Sequence, residues 1–234
     1  MGAAGAIYHV APQTAGDSYL QLQTLCAPPK RRYAFQIMDE QRKILAGDAS
    51  QSLAGQLLIA MPGMEDQRFE RSVIYLCAHS DRGAMGIIVN KAMETLTFAE
   101  LLDQLNIETG SIARSLRIQA GGPVDTSRGF VLHSLDYRTD EGTMEVASNV
   151  GLTATVDVLK AIARGEGPWK AMLALGYAGW SAGQLEDEIR ANGWLHCPAD
   201  DELLFSPELA QKWQRAIGKL GIDPSNLSST SGTA

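Results

Sequence analysis

The stretch from residue 55 to residue 91 constrains the fold more than any other part of this sequence. It contains three apolar runs, which lie at residues 56–61, 72–79 and 84–90. A charged loop separates the first two runs, and the turn Ser80-Asp81-Arg82-Gly83 separates the last two. Short runs rich in Val, Ile and Leu between such turn residues are typical of β-strands, and the tight second connection indicates a hairpin. The block therefore predicts neighbouring antiparallel strands.

The rest of the chain mixes strand and helix signals without regular alternation. Further strands are predicted near residues 116–120, 129–134, 143–147, 169–177 and 202–205. Two capping boxes, Thr97 with Glu100 and Ser181 with Gln184, each predict the start of a helix. Ser206 before Pro207 is the predicted N-cap of a helix that runs to about Lys219. A fourth helix is predicted over residues 155–164 and stops at Gly165. This pattern favours the α/β (α+β) class, with a single compact domain and a mixed, largely antiparallel sheet packed against about four helices.

Composition and periodicity indicate how the 234 residues are divided. Residues 1–50 show no sustained strand or helix period, so we expect them to form a poorly ordered extension. Residues 51–222 carry the periodic segments and are expected to form the domain. Residues 223–234 are mostly Ser, Thr and Gly, with little apolar surface to bury, and are expected to form a disordered tail.

The charge balance and the lack of long apolar segments restrict the classes of partner. The formal net charge is −7, and an acidic protein repels a phosphate backbone, so we do not expect nucleic-acid binding. No apolar stretch approaches the ~18 residues of a membrane span. The start of the chain has no basic segment followed by an apolar one, and three widely spaced cysteines suit reduced thiols. We therefore expect a cytoplasmic protein.

Several short motifs follow the first block in a fixed order. They are Gly121-Gly122-Pro123-Val124, Arg128-Gly129-Phe130-Val131-Leu132-His133, Leu175-Gly176-Tyr177-Ala178-Gly179-Trp180, Gly183-Gln184-Leu185-Glu186 and Asn192-Gly193-Trp194-Leu195. Together with residues 55–91, this order resembles the YqgE/AlgH family of small bacterial proteins over residues 53 to about 220. The resemblance implies a recognisable fold but no settled reaction. Members of the family are often labelled transcriptional regulators, which implies DNA contact.

A set of polar residues and glycines within these motifs is the hardest to explain by packing alone. The candidate ligand-binding residues are Arg71, Ser72, His79, Asn90, Gly121, Gly122 and His133. Polar groups at the ends of apolar strands can converge on one pocket, and paired glycines can offer free N–H groups to an anion. The competing interpretation is structural: the glycines turn the chain, Asn90 closes a strand and His133 bonds to backbone. We predict no catalytic residue, no metal and no cofactor.

Two groups of residues resemble a catalytic site and a metal site in their sequence pattern. Gly179-Trp180-Ser181-Ala182-Gly183 fits the nucleophile elbow of serine hydrolases, but the only later histidine, His196, follows too closely, so we expect Ser181 to cap a helix. Cys77 and His79 are two apart on a predicted strand and should share one face. They lack the Cys-x₂₋₄-Cys loop typical of zinc sites.

Two surfaces are candidates for macromolecular contact. The loop Met61–Arg71 combines charged residues with methionines and Phe69, which suits a protein partner. Lys212, Arg215 and Lys219 recur along the last helix and predict a basic, solvated stripe. The oligomeric state is not predicted.

Three functions remain open at this point. The first is an accessory or regulatory protein that binds a protein partner or a small ligand. The second is an enzyme with acid–base or transfer chemistry near His79, Asn90 and His133. The third is a transcriptional regulator that contacts DNA.

Overall fold

The computed structural model describes residues 52–110, 116–139, 142–147 and 149–223. Its strands are β1 (Gln56–Ala60), β2 (Val73–Ser80), β3 (Gly83–Ile88), β4 (Ile118–Ala120), β5 (Val124–Ser134), β6 (Thr143–Ala147), β7 (Val150–Thr153), β8 (Ala171–Ser181) and β9 (Trp194–Pro198). Its helices are α1 (Phe98–Gln104), α2 (Val156–Arg164), α3 (Gln184–Arg190), α4 (Asp201–Phe205) and α5 (Leu209–Lys219). The predicted extension (1–50) and nearly all of the predicted tail (223–234) lie outside the described residues, so both stay predictions.

One sheet runs through the molecule in the order β6-β7-β5-β8-β3-β2-β1-β9, with β4 also beside β8. The pairing of β4 with β8 is parallel, and the other pairings are antiparallel. The long strand β8 joins the two halves of the sheet, because Ala171–Leu175 pairs with β5 and Ala178–Ser181 pairs with β3. The prediction of a largely antiparallel sheet in one α+β domain is confirmed.

Three glycines allow β8 to change partners. Gly121 and Gly122 cross β8 so closely that a Cβ atom on Gly121 would lie 2.3 Å from the carbonyl oxygen of Gly176. A Cβ atom on Gly122 would lie 2.1 Å from the carbonyl carbon of Tyr177. Gly176 has φ of 74° and approaches the carbonyl oxygen of Gly122 in return. Only residues without a side chain fit this crossing.

Three apolar clusters cover the two faces of the sheet. The largest lies on one face of both halves and is closed by α4 and α5 through Leu203, Leu204, Trp213 and Ile217. On the opposite face, α1 and α2 cover the half around β4 and β5. The helix α3 covers the half around β1, β2 and β3. The strands β1, β2, β3 and β8 are therefore largely buried, which agrees with the continuous apolar runs in the sequence, whereas the first half of β5 is partly exposed.

Several local predictions differ from the structure. Residues 202–205 are helical in α4, because Asp200 caps the helix by accepting a hydrogen bond from the Leu203 N–H at 2.7 Å. The strands β7 and β9 were not predicted. The helix α3 begins at Gln184 after Gly183, and α5 begins at Leu209 after Glu208, so neither Ser181 nor Ser206 is the N-cap residue. No helix in the described part of the chain is long and apolar enough to cross a membrane.

Two helix predictions are accurate to the cap. Thr97 and Glu100 form the predicted capping box at the start of α1: the Thr97 Oγ1 accepts from the Glu100 N–H, and the Glu100 carboxylate accepts from the Thr97 N–H. The helix α2 ends at Gly165, which is left-handed with φ of 77°. Both ends rest on local signals that distant contacts do not override.

Candidate functional site

The histidine His79 ties the start of the domain to α3. It lies near the end of β2 and is 8% exposed. Its Nδ1 accepts a hydrogen bond from the Leu53 N–H at 3.0 Å, so its Nε2 carries the proton and donates to the Glu186 Oε1 at 2.7 Å. Both ring nitrogens therefore have protein partners. This arrangement anchors the chain segment before β1.

His79 and Cys77 do not share a face of the sheet, contrary to the prediction. The pairing of β2 with β3 contains a register irregularity between Leu76 and Ala78. This bulge interrupts the alternation of side chains. Cys77 points into the large cluster, whereas His79 reaches α3 on the opposite face. Burial also raises the pKa of the Cys77 thiol. Within the described residues, no group of three or more His, Cys, Asp or Glu side chains is arranged to hold a metal ion.

Asn90 clamps the chain at the entry to β2. Its Oδ1 accepts from the Val73 N–H at 2.8 Å, and its Nδ2 donates to the Arg71 carbonyl oxygen at 2.8 Å. Arg71 has φ of 50°, and its guanidinium lies 5.4 Å from the ring centroid of Trp213. Ser72, between the two clamped residues, is fully buried, and its Oγ has no hydrogen-bond partner among the described residues.

His133 belongs to a chain of hydrogen bonds on the other half of the sheet. Its Nδ1 donates to the Ser134 carbonyl oxygen at 2.9 Å, which leaves Nε2 to accept from the Thr153 hydroxyl at 2.8 Å. Thr153 then accepts from Thr143 at 2.8 Å, and Thr143 accepts from the Thr139 N–H at 3.2 Å. Burial lowers the pKa of His133, so the ring is neutral in this network.

The seven candidate residues thus lie in separate places. Arg71, Ser72 and Asn90 meet at one end of β2, and His79 lies near the other end. Gly121 and Gly122 pack on β8, where the Gly121 N–H donates to the Leu175 carbonyl oxygen at 2.7 Å. His133 lies beyond β8 on β5. Most of the polar groups are satisfied by backbone or by neighbouring side chains, and a ligand role for these residues stays a prediction.

Ser181 has the surroundings of an ordinary surface residue. It ends β8 and is exposed, and its backbone N–H donates to the Gln184 Oε1 at 3.0 Å. The helix α3 begins at Gln184 after the N-cap residue Gly183, and no side chain caps it. His196 bonds through Nδ1 to the Gln56 Oε1 at 2.7 Å. The expected cap by the Ser181 hydroxyl is wrong because the glycine turn starts the helix two residues later.

The predicted basic stripe on α5 does not form. Lys212 is fully buried, and its Nζ donates to the Leu204 carbonyl oxygen at 2.8 Å. Arg215 pairs with Glu202, and Lys219 pairs with Asp200 at 2.6 Å. The helix α4 turns back against α5, so these side chains connect the two helices. Their charges are therefore engaged within the protein.

A carboxylate at the centre of the small cluster under α3 was not found from the sequence. The Glu188 Oε2 accepts from the indole N–H groups of Trp180 at 2.9 Å and Trp194 at 2.8 Å. The Glu188 Oε1 accepts from Gln184 Nε2 at 2.9 Å. The two indole rings also pack edge to face with centroids 5.9 Å apart. The tryptophan motifs that carry the family resemblance are thereby joined by one structural contact.

The loop Met61–Arg71 is anchored at several points. The Met61 N–H donates to the Gly193 carbonyl oxygen, Phe69 packs edge to face on Trp194, and Lys91 Nζ donates to the Arg68 carbonyl oxygen at 2.7 Å. Asp66 holds the Arg68 guanidinium through both carboxylate oxygens, and this pairing lowers the pKa of Asp66. Contact with a protein partner through this loop stays a prediction.

A groove that the sequence did not indicate lies between α1, β4 and the connection from α4 to α5. Its volume is about 510 Å³. It is lined by Met93, Leu96, Thr97, Phe98, Leu116, Arg117, Ile118, Gln119, Ala171, Met172, Leu204, Phe205, Ser206, Pro207 and Leu209. This volume falls within the range of small-molecule pockets, ~300–1,000 Å³, and the lining combines apolar side chains with a few polar groups. We refer to it as the α1–β4 groove.

Gln119 is the unusual residue of the α1–β4 groove. It lies in the middle of β4 and is 5% exposed. Its Oε1 has no hydrogen-bond partner among the described residues. A buried amide oxygen without a partner costs about 1–3 kcal/mol, and such groups are rare in folded proteins. Sequence reasoning missed Gln119 because a lone glutamine in a short strand carries no pattern.

Arg117 lies two residues before Gln119 and lines the same groove. Residues two apart in extended chain point to the same side, so the guanidinium and the amide face the groove together. Arg117 is exposed and forms no ion pair with any described residue. The groove therefore combines an apolar wall, a buried amide and one positive charge.

The architecture defines the class of this protein: a single α+β domain on a continuous, largely antiparallel sheet. The AlgH-like family model (DUF179) matches residues 57–225. This chain belongs to the AlgH-like family, and the predicted family is confirmed.

Relatives and solved structures agree with this assignment. A UPF0301 protein of Beijerinckia indica is 55% identical over 198 residues, which are 80% of this chain and 97% of the relative. A UPF0301 protein of Methylocella silvestris is 56% identical over 78% of this chain and 92% of its own length. The solution structure of the AlgH protein from Pseudomonas aeruginosa has 40% identity and a TM-score of 0.65, and covers 80% of this chain and 98% of that one. The crystal structure of DIP2367 from Corynebacterium diphtheriae, at 19% identity and a TM-score of 0.59 over 76% of this chain and 93% of that one, shares the fold.

Proposed function

We propose that this protein is an accessory or regulatory binding protein whose small, amphipathic ligand occupies the α1–β4 groove. The observation that carries the proposal is the buried amide of Gln119, whose Oε1 has no partner among the described residues and which lines the groove. A ligand with a hydrogen-bond donor satisfies this oxygen. If Gln119 had no such role, an apolar residue at position 119 would give a more stable fold, because it would not bury an unpaired polar atom.

The shape and chemistry of the groove support a small ligand. The apolar side chains of Phe98, Met172 and Leu209 provide area for an apolar body, and Gln119 and Arg117 supply the few polar groups that orient it. Two methionines, Met93 and Met172, line the groove, and flexible methionine side chains adapt to a ligand's shape. The walls come from separate elements, so a ligand here also bridges α1 to the α4–α5 connection.

The two other functions have less support. An enzyme at His79 and His133 would need a reactive ring nitrogen, yet both nitrogens of each ring bond within the protein. A DNA-binding surface on α5 would need free basic side chains, whereas Lys212, Arg215 and Lys219 have partners within the protein. Steep loss of DNA affinity with rising salt would revive the regulator that contacts DNA.

Methionine methyl NMR tests the proposal without knowledge of the ligand. The protein is labelled with ¹³C at the methionine methyl groups and screened against a library of small amphipathic compounds. We expect binders to shift Met93 and Met172, which line the groove, and to leave Met64 and Met144 unchanged, since neither of these lines the groove. Ala171→Phe fills the groove and should abolish these shifts, whereas Ala182→Phe, at an exposed position, should not. A library in which no compound moves the groove methionines more than the reference methionines overturns the proposal.

A further inference from the structure

We propose that the ligand of the α1–β4 groove is a largely apolar monocarboxylate that also carries a hydroxyl or N–H group, bound with its chain between the helices and its carboxylate between Arg117 and Gln119. This inference rests on the proposed function and specifies the chemical class of the ligand.

The charge of the groove differs in sign from that of the whole protein. The chain has a formal net charge of −7, but the groove lining contains one formally charged side chain, Arg117, and no Asp or Glu. On an acidic protein surface, an arginine side chain usually pairs with a nearby carboxylate. Arg117 forms no ion pair with a described residue. An arginine fork matches the geometry of a carboxylate and binds it through two N–H groups. The lining therefore favours an anion over a neutral or cationic ligand.

A second cation, Lys212, contacts a residue of the groove wall but does not line the groove itself. The Lys212 ammonium donates to the carbonyl oxygen of Leu204, a residue of the groove wall, at 2.8 Å. Among the described residues, Lys212 has no carboxylate partner. Lys212 therefore adds positive charge, and no negative charge, behind one residue of the groove wall.

Gln119 complements a carboxylate in a second way. Its amide carries two donor hydrogens and an acceptor oxygen, so it donates to an ionised carboxylate through Nε2. The unpaired Oε1 accepts a hydrogen bond from the ligand's hydroxyl or N–H group, and decanoate therefore probes the carboxylate contact alone. Because Gln119 is buried and Arg117 is exposed, Gln119 contacts the carboxylate from the protein interior and Arg117 contacts it from the solvent side. The remaining apolar wall takes the chain.

A head-group series tests the carboxylate. Decanoate, decanamide and decylamine share one apolar chain and differ in charge. Their affinities are measured from the shifts of the Met93 and Met172 methyl groups, below the concentrations at which the compounds form micelles. We expect decanoate to bind about tenfold more tightly than decanamide, and decylamine to bind most weakly, since a charge-assisted contact adds more than a neutral one.

Three variants connect any preference to the proposed contacts. Arg117→Gln should weaken decanoate about three- to tenfold and leave decanamide nearly unchanged, because an exposed guanidinium contributes modestly. Arg82→Gln removes the same charge from an exposed turn and should change neither affinity. Gln119→Leu should weaken decanoate and decanamide together, since both lose the amide contact.

The outcomes separate this inference from the proposed function. Equal or tighter binding of decanamide, or a decanoate preference that survives Arg117→Gln, overturns the carboxylate and leaves the groove as a binding site. A preference for decylamine likewise overturns the carboxylate and leaves the groove as a binding site. If decanoate does not shift the groove methionines, the monocarboxylate is excluded, and the compound screen decides separately whether the groove binds any ligand.

Discussion

At the scale of single residues, Glu188 is the side chain on which a whole cluster depends. Its carboxylate accepts both indole N–H groups beneath α3. Glu188→Ala leaves two buried donors without an acceptor, at about 1–3 kcal/mol each, so we expect a loss of about 2–6 kcal/mol in the free energy of unfolding. Urea denaturation followed by tryptophan fluorescence measures this loss.

Two variants of the same helix serve as controls for Glu188. Glu188→Gln keeps one acceptor oxygen for the indoles and should lose less than Glu188→Ala. Asp187→Ala removes an exposed ion pair with Arg190 and should lose less than about 1 kcal/mol. If Glu188→Ala is no more destabilising than Asp187→Ala, the carboxylate does not hold the two tryptophans.

The second prediction at this scale concerns the buried amide. Gln119→Leu replaces a buried group of similar size whose oxygen has no partner in the described structure. We expect the free energy of unfolding to stay unchanged or to rise by up to about 1 kcal/mol. Ser72→Ala removes another unpaired buried oxygen, away from the groove, and should behave alike without affecting ligand binding. Destabilisation by Gln119→Leu of more than about 1 kcal/mol would mean that the amide supports the fold itself.

At the scale of elements, α5 carries a pH-dependent contribution through Lys212. Burial, reinforced by the nearby Arg215 charge, lowers the pKa of Lys212 to about 8. In the unfolded chain a lysine titrates near ~10.4, so between these values the unfolded state binds more protons and stability rises with pH. Lys212→Met lacks this titration. We therefore expect the difference in unfolding free energy, wild type minus Lys212→Met, to rise by about 3 kcal/mol at most between pH 8 and pH ~10.4.

Measuring this difference cancels other titrations common to both proteins, such as that of the buried Cys77. Denaturant unfolding at several pH values gives both free energies. A difference that stays flat from pH 7 upwards would show that Lys212 titrates as an exposed lysine. The alkaline titration therefore tests whether α4 and α5 enclose the ammonium as the structure indicates.

Elements with local signals were predicted well, and those fixed by distant contacts were not. The α1 capping box and the glycine end of α2 follow from neighbouring residues, so the sequence indicates them directly. Residues 203–205 form an apolar run that is short enough to suit a strand or a helix, and the Asp200 cap and packing on α5 decide for α4. Lys212 appeared solvated because the sequence does not indicate that α4 turns back over it.

The candidate site was harder to predict than the fold for the same reason. The sequence favours polar residues within the family motifs as site candidates. Asn90 and His133, however, form their hydrogen bonds within the protein. The groove draws its lining from four separate stretches of chain that carry no common pattern. Gln119 becomes notable only when its burial and its unpaired oxygen are known.

At the scale of the whole molecule, the crossing of Gly121 and Gly122 over β8 joins the two halves of the sheet. A methyl group on Gly122 would overlap the Tyr177 backbone, so Gly122→Ala should destabilise the domain by more than about 3 kcal/mol or prevent folding. Gly218→Ala, in open space on α5, should be neutral or stabilise by up to about 1 kcal/mol. Circular dichroism and denaturant unfolding compare the two. Equal stability of both variants would contradict the close crossing.

The central claim is that the α1–β4 groove holds the ligand, and intermolecular NOEs test it most directly. They are recorded between protons of a bound compound from the screen and the labelled methionine methyl groups. We predict NOEs to Met93 and Met172 that are lost in Ala171→Phe. NOEs from a bound compound to Met64 or Met144 alone, with none to the groove methionines, would contradict the account.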